Sequence, residues 1–199
     1  MKSRRLFYHR RRFPSEIMRR WCIRFGPAYA NRLRKRSSPG GDQWFVDEVF
    51  VRIDGKLRYL YRAVDQDGQV LKILVQTRQN KSAAARFFRR LLKQQGQVPR
   101  RLITDKQPSY RPAHCEVMPD TIHDTSQYAD NRAEVSHEPP RQRERRMRRF
   151  KSIGHAQRFL AVHGALQNLF VVPRHLMRAK HYRTFRTRAF IQYEQVTCA

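Results

Sequence analysis

Three acidic residues stand apart from the other acids of this 199-residue chain because of where they lie. Asp47 is in the middle of an alternating segment, Asp105 follows a short apolar run, and Glu134 lies near the start of a predicted helix. Carboxylates gathered at one point repel one another and need divalent cations, and hard oxygen ligands favour Mg²⁺ or Mn²⁺. These residue types indicate a site for divalent metal ions, provided that the fold brings the three carboxylates together.

The segment that carries Asp47 predicts a β-hairpin. Residues 44–53 alternate between apolar and other side chains, Asp54-Gly55 is a typical two-residue hairpin turn, and residues 56–65 form the second strand. Asp47 then shares a face with apolar side chains, where an unpaired carboxylate costs several kcal/mol. It therefore needs a cation, a hydrogen-bond network or a metal, and pairing with an Arg of the hairpin is the purely structural alternative.

The elements that follow the hairpin predict an α/β domain. A third strand at 70–77 completes an antiparallel meander. Further along we predict a helix at 83–95, a strand at 101–104, a turn-rich stretch at 106–130 with a short strand near 121–123, a helix that opens at 131–134 and an amphipathic helix at 154–170. This is the element order of an RNase H-like core, a mixed sheet with an antiparallel three-strand meander flanked by helices. In that fold the first and fourth strands are neighbours, which would bring Asp47 and Asp105 together.

The charge of the chain predicts a polyanionic partner. The sequence contains 43 Lys and Arg against 16 Asp and Glu, a formal net charge of +27. Nucleic acid is the commonest polyanion, and a basic RNA-binding protein of ribosomal type would explain the charge but not the acidic strand positions. We expect no membrane partner, because no run of about 18 apolar residues is present. Three widely spaced cysteines fit a reducing cytoplasm rather than a disulfide framework.

The first 41 residues predict a basic N-terminal helical arm. Glu16 is the only acid among residues 1–40, and Pro14-Ser15 is typical of a helix start. Gly26-Pro27 predicts that the helix ends there, with a further helical turn at 28–33 as an addition that the sequence allows. A linker rich in Ser, Pro and Gly follows. We therefore divide the chain into an arm at 1–41 and a core domain at 42–199 that ends in a basic helical C terminus.

Three long motifs resemble the core of DDE-class transposases, in the single-reading-frame, cointegrate-forming group of bacterial insertion sequences. The motifs are WFVDEVFVRIDGKLRYLYRAVDQDG, LITDKQPSY and NRAEVSHEPPRQRERRMRRFKS. The resemblance implies that Asp47, Asp105 and Glu134 are the catalytic carboxylates and the ligands of Mg²⁺ or Mn²⁺. It also places Arg141 at the basic position that follows the Glu by two helical turns.

The resemblance implies metal-dependent DNA strand cleavage and strand transfer at insertion-sequence ends. The partners would be the element ends, target DNA and further copies of the chain, in the bacterial cytoplasm and on the nucleoid when bound to DNA. We expect a basic run beyond the third carboxylate to neutralise DNA phosphates. Its residues are Arg141, Arg143, Arg145, Arg146 and Lys151.

Two departures from the family pattern stand in the sequence. Asp130-Asn131 replaces the usual Asn-Asn, and residues 13–17 and 18–22 resemble the beginning and end of a helix-turn-helix whose middle is absent. We therefore predict an internal deletion, so that the arm is a remnant of the end-recognition region. The alternative is a decayed, inactive transposase that only binds DNA without sequence preference.

Other acids have competing interpretations. Glu144 is on the same segment as Glu134 and is the alternative third carboxylate, although its basic neighbours favour a salt bridge. Glu48, next to Asp47, is predicted to be an exposed strand residue. Asp65, at the end of the second hairpin strand, is predicted to have a structural role in the following turn.

Overall fold

A computed structural model describes residues 15–36, 40–126, 150–170 and 178–197. The strands are β1 (Gln43–Ile53), β2 (Lys56–Asp65), β3 (Val70–Gln76), β4 (Arg101–Thr104) and β5 (Ile122–Asp124). The described helices are α1 (Ser15–Arg36), α2 (Lys81–Gln95), α3 (Tyr110–Val117), α4 (Ile153–Phe170) and α5 (Ala179–Thr197).

The five strands form one mixed sheet in the order β3-β2-β1-β4-β5. β1, β2 and β3 pair antiparallel as a meander, whereas β4 pairs parallel to β1 and β5 parallel to β4. The step from β3 to β4 passes through α2, which is the helical crossover that a parallel neighbour requires. This topology confirms the predicted α/β fold with an RNase H-like core.

Local sequence signals position the meander. Asp54 and Gly55 have φ values of 51° and 70°, as a tight hairpin turn with two left-handed residues requires. The carboxylate of Asp65 accepts hydrogen bonds from the backbone N–H groups of Asp67 (3.0 Å) and Gln69 (2.8 Å). Asp65 therefore has the structural turn role that was predicted for it.

The sheet is covered on both faces by helices. On one face, α2 and α3 pack against the alternate residues of β1 and β2, around the fully buried side chains of Trp44, Tyr61, Phe87 and Tyr110. On the other face α4 packs against the far end of the hairpin and β3. Burial of this much apolar and aromatic surface is the main source of stability, because each such side chain contributes roughly 1.5–3 kcal/mol.

Helix α1 corrects the prediction that Gly26-Pro27 ends the N-terminal helix. The helix continues through Pro27 to Arg36. A Cβ atom at Gly26 would lie 2.6 Å from Cγ2 of Val162, so the glycine allows α1 to approach α4 closely rather than to stop. The α1–α4 packing, around Ala30 and Leu33, offsets the backbone hydrogen bond that a proline removes.

A second correction concerns the stretch that was predicted to be turn-rich. Residues 110–117 form α3, and Pro112 is tolerated because it lies in the first turn, where the N–H group has no partner within the helix. The buried ring of Tyr110 anchors this short helix against Tyr61 and Phe88. The short strand predicted near residues 121–123 is present as β5.

The outer edge of β3 is sealed by amide side chains instead of a sixth strand. Asn168 accepts from the N–H of Val70 (2.7 Å) and donates to its carbonyl (2.8 Å). Three helical turns earlier, Gln157 accepts from Val75 N–H and donates to the carbonyl of Ile73, both at 2.9 Å. These bonds satisfy an edge that would otherwise be free to pair with another strand.

The C-terminal helix α5 is mostly exposed and basic, as predicted. Its aromatic side chains reach back to the end of α4, where Phe170 contacts Phe190 and Tyr193. Within the described ranges, no helix is both long enough and apolar enough to cross a membrane.

Candidate active site and family

Asp47 and Asp105 occupy corresponding positions on adjacent parallel strands. The last in-register pair of β1 and β4 is Val46 with Thr104. Asp47 directly follows Val46, and Asp105 directly follows Thr104. Adjacent strands are about 4.8 Å apart, so the two carboxylates are attached to the sheet within reach of a common point. β4 ends at Thr104 while β1 continues, which leaves Asp105 just beyond the C-terminal end of β4.

Short contacts hold both aspartates. Oδ1 of Asp47 accepts the backbone N–H of Glu48 at 2.6 Å, and Oδ1 of Asp105 accepts the backbone N–H of Gln107 at 3.2 Å. The side chain of Gln107 donates to Oε2 of Glu48 at 3.4 Å and accepts from the hydroxyl of Ser109 at 2.6 Å. Gln107 therefore links the segment after β4 to the middle of β1.

Glu48 belongs to this acidic cluster, which corrects the prediction that it is an exposed strand residue. It is half-buried, and its Oε1 atom is inaccessible to solvent and has no hydrogen-bond partner among the described residues. Burial, together with the negative charges of Asp105 and Asp47, raises the pKa of Glu48 to about 7 against the opposing effects of Tyr61 and Gln107. Burial also raises the pKa of Asp105.

Buried tyrosines surround the same cluster. Burial raises the pKa of Tyr61, and the charge of Glu48 raises it further. Burial likewise raises the pKa of Tyr110, to which Glu48, Asp105 and Asp47 all contribute. Both phenols therefore stay neutral at physiological pH, so the cluster is a set of acids beside an apolar, uncharged wall.

Arg62 is the cross-strand partner of Asp47 in the β1–β2 ladder, and it is 4% exposed. Directly opposed residues of an antiparallel pair lie on the same face of the sheet. A guanidinium is thus attached opposite the first carboxylate, which is the arrangement that the structural alternative for Asp47 requires. A carboxylate that also binds a cation is compatible with this neighbour.

Most of the predicted site beyond Asp105 lies outside the described residues. This applies to Glu134, to its alternative Glu144, and to four members of the predicted DNA-binding run, Arg141, Arg143, Arg145 and Arg146. Lys151, the fifth member, is exposed just before α4. In the part of the chain that the structure describes, no three His, Cys, Asp or Glu side chains are arranged to hold a metal ion.

Sequence reasoning missed Glu48 and Gln107 as members of the cluster. Alternation along β1 placed Glu48 on the face opposite Asp47, which is correct, but that face is covered by α2 and α3 rather than by solvent. Only the position of the unpredicted helix α3 reveals this. For Gln107 the available signal was its position two residues after Asp105, a spacing at which Asp commonly accepts a backbone N–H.

The fold is similar to that of several solved transposase and integrase domains. The catalytic domain of Mos1 mariner transposase matches over 94% of this chain and 94% of its own length, with 14% identity and a TM-score of 0.49. The HTLV-2 integrase catalytic core, solved with magnesium, matches over 72% of this chain and 94% of its own length, with 14% identity and a TM-score of 0.47.

Sequence comparison is more specific. The family model described as "DDE domain" matches residues 41–172. The transposases of the IS431mec insertion-sequence-like element and of IS257 in transposon Tn4003, both from Staphylococcus aureus, are 34% identical over 147 residues, which is 71% of this chain. The chain spans 63% of the length of these relatives. Both aspartates of the cluster fall inside the matched segment, and the chain belongs to the DDE-domain family of insertion-sequence transposases.

Proposed function

We propose that this chain catalyses metal-dependent DNA strand cleavage and strand transfer at the ends of an insertion sequence. The observation that carries the proposal is the pair Asp47 and Asp105, at corresponding positions on adjacent strands inside the segment that matches the DDE family. The net charge of +27 supports DNA as the substrate, because it provides the field that a polyanion requires. The related chains are named as transposases.

The donor set fits a divalent cation. Asp47, Asp105 and Glu134 would hold it, with oxygen ligands only, as Mg²⁺ and Mn²⁺ prefer. The raised pKa of Glu48, caused by burial and then by both aspartates, reflects negative charge that a bound cation would offset. When bound, such ions polarise the phosphoryl group and stabilise the attacking and leaving oxygens of an in-line displacement.

The residues of the chain would position and neutralise the substrate. In cleavage, a water oxygen bonds to phosphorus, the bond from phosphorus to the 3′ oxygen breaks, and that oxygen leaves as a hydroxyl. In strand transfer, the same 3′ oxygen bonds to a target phosphorus and the target's own 3′ oxygen leaves, so the number of phosphodiester bonds is conserved. Gln107 would fix Asp105 through its backbone N–H, and Glu48 could hold a proton near neutral pH.

DNA binding would come mainly from cations that do not read sequence. The basic run Arg141, Arg143, Arg145, Arg146 and Lys151 follows the proposed third carboxylate and would neutralise phosphates beside the site. Such contacts weaken steeply as salt is added. On DNA we expect a homo-oligomer, because strand transfer joins two element ends to one target, and an association with the nucleoid follows from the same binding.

The decisive test is Asp47→Asn, which keeps the side-chain size and removes one charge. We measure Mg²⁺-dependent cleavage of duplex DNA that carries the flanks of the gene encoding this chain, together with binding of the same DNA. The variant should lose cleavage and keep, or slightly improve, binding. A wild-type chain that binds DNA but cleaves none with Mg²⁺ or Mn²⁺ would be the decayed DNA-binding protein instead.

The same assay assigns the third carboxylate. Glu134→Gln should abolish cleavage, whereas Glu144→Gln, which removes an acid from the same segment, should leave it largely intact. The reverse result would move the metal-ligand role to Glu144. Each variant removes one negative charge, so the two have the same net charge. A difference in cleavage between them therefore cannot come from a difference in overall electrostatic attraction to DNA.

A further inference from the structure

A cleft lies along the outer edge of β3, on the opposite side of the meander from β4. It has a volume of about 190 Å³ and is bounded by β3, α2, α4 and the end of α1. Its floor is aliphatic, from Leu71, Ile73 and Leu160, and the amides of Gln157 and Asn168 seal the strand edge on the α4 side. We call this feature the β3 cleft.

Three cations from three separate elements line the β3 cleft: Arg34 from α1, Lys72 from β3 and Arg90 from α2. No carboxylate is among the described residues that line it. The ammonium of Lys72 donates a hydrogen bond to Oε1 of Gln94 at 2.6 Å, which directs it along the cleft without neutralising it. Three positive charges therefore converge on the cleft.

The neighbouring positive charges act on Lys72, the cation at the centre of this set. Burial lowers the pKa of Lys72, and the charges of Arg34 and Arg90 lower it further. Burial alone lowers the pKa of Arg34. At the residue before Arg90 the arrangement differs, because Arg89 shares Glu116 with Lys81 in a surface ion-pair network. Arg89 and Lys81 are therefore paired with an acid, whereas no acid is among the described residues that line the cleft.

We propose that the β3 cleft binds phosphates of a DNA backbone, as a second contact surface separate from the carboxylate site. β3 is two strands away from β1 in the sheet, so its cations cannot hold the phosphate that lies at Asp47 and Asp105. The cations would instead hold a flanking stretch of DNA. DNA binding at the cleft does not require that the chain cleave DNA, so it can be measured by itself.

The shape and polarity of the cleft favour a polymer over a small anion. Arg34 and Arg90 are exposed and Lys72 is half-buried, so the cations line an open channel rather than enclose a ligand. Contacts of this kind position a nucleic-acid backbone without reading its bases. The net charge of +27 indicates the same partner, because the cleft adds to a field that already attracts DNA.

The test compares two triple variants with equal loss of charge. The cleft variant carries Arg34→Gln, Lys72→Gln and Arg90→Gln. The control carries Arg78→Gln, Lys93→Gln and Arg100→Gln, three exposed cations that do not line the cleft. We measure binding to a duplex of arbitrary sequence between 50 and 200 mM salt and confirm folding by thermal unfolding. Each lost phosphate contact should reduce the slope of log affinity against log salt by about 0.9.

The cleft variant should flatten the salt slope by about 2 to 3 and the control by less than about 1. Equal changes in the two variants would overturn the proposal, as would a cleft variant that binds like the wild type. The single change Lys72→Arg should restore binding where Lys72→Gln weakens it, since it keeps the charge. If the wild-type chain cleaves no DNA with Mg²⁺ or Mn²⁺, the comparison of salt slopes is unaffected, so the two proposals fail separately.

Discussion

The two edges of the meander carry charge clusters of opposite sign, one acidic and one basic. At the β1–β4 edge, Asp47, Glu48 and Asp105 lie together beside buried tyrosines; at the β3 edge, Arg34 and Lys72 converge with Arg90 over an aliphatic floor. Each cluster makes the ligand-free fold less stable, because charges of one sign repel more strongly where water is partly excluded. A folded domain keeps such clusters where a ligand of the opposite charge offsets them.

The clusters differ in how firmly they are held. The acidic cluster is tied by hydrogen bonds from backbone N–H groups and from Gln107, on strands in the centre of the sheet. The cations of the β3 cleft are on long side chains, with one amide contact at Lys72. Catalysis needs fixed geometry, whereas attraction of a flexible polyanion does not. The difference agrees with the roles proposed for the two clusters, chemistry at the acidic cluster and DNA binding at the β3 cleft.

The largest expected effect distinguishes Asp105, after β4, from Asp124 on the neighbouring strand β5. Asp105→Asn should lower cleavage by roughly 10²–10³-fold or more, since removing one preorganised electrostatic group from an active site has effects of this size. Asp124→Asn is the control: Asp124 is on β5, pairs with Ile103 in the ladder and faces Arg101. Cleavage assays with equal DNA occupancy should show loss only for Asp105→Asn. Similar losses for both variants would remove the distinction between the site and its surroundings.

Much of this architecture could be predicted from local signals. The Asp54-Gly55 turn, the alternation of the hairpin strands and the Asn80 cap, which accepts Ala83 N–H at 2.9 Å, are each encoded within a few residues. Local encoding made the sheet order predictable, and with it the neighbouring positions of Asp47 and Asp105. The predicted role of those aspartates, and the division of the chain at residue 41, stay predictions.

The parts that could not be predicted depend on contacts distant in sequence. Gly26 has the form of a helix stop, but its effect is decided by Val162 across the α1–α4 interface. Glu48 has the form of a surface acid, and only the packing of α3 over that face buries it. The β3 cleft combines residues from α1, β3 and α2, so no single segment of sequence indicates it.

The next largest effect is expected at the β3 edge, where the hydrogen bonds of Asn168 to the backbone of Val70 stabilise the wall of the cleft. Asn168→Leu leaves both backbone groups of Val70 without their partner and should lower the free energy of unfolding by about 1–3 kcal/mol. Gln94→Leu is the comparison variant, because the carbonyl of Leu71 keeps a second donor in Gln95 and the ammonium of Lys72, which loses its acceptor, is half-exposed to water. Urea unfolding monitored by circular dichroism measures both. A smaller loss for Asn168→Leu than for Gln94→Leu would contradict the sealing role of Asn168.

A smaller, pH-dependent effect is expected at the acidic cluster. The pKa of Glu48 rises on folding from 4.5 to about 7, so the folded state binds more protons between these values and loses stability as the pH rises through them. Glu48→Gln should therefore stabilise the metal-free chain by about 1–2 kcal/mol at pH 8 and by little at pH 4.5, a value reduced for partial exposure. Denaturation at several pH values measures the difference.

Glu116→Gln provides the opposite sign for that experiment. Hydrogen bonding and charge from Lys81, with Arg89, lower the pKa of Glu116, so its contribution to stability is present above its ordinary pKa and is lost as the pH falls. This variant should be less stable than the wild type at pH 7 and should converge with it in acid. If Glu48→Gln behaved in the same way, Glu48 would be a paired surface acid and not a member of the acidic cluster.

The smallest effect sharpens the comparison from the basic side. Burial and two arginines lower the pKa of Lys72, so the folded state carries a penalty for its charge that disappears only at a pH near the titration of lysine. Lys72→Gln should raise the free energy of unfolding by less than about 0.5 kcal/mol, and the gain should be constant between pH 5 and 8, unlike the gain at Glu48. Lys93→Gln, which removes an exposed charge from α2, should change stability no more than other surface substitutions do. Chemical denaturation of the three chains at pH 5 and pH 8 distinguishes these cases. If Lys72→Gln were less stable than the wild type, Lys72 would stabilise the fold through its hydrogen bond to Gln94. The β3 cleft would then be a structural contact and not a phosphate-binding surface.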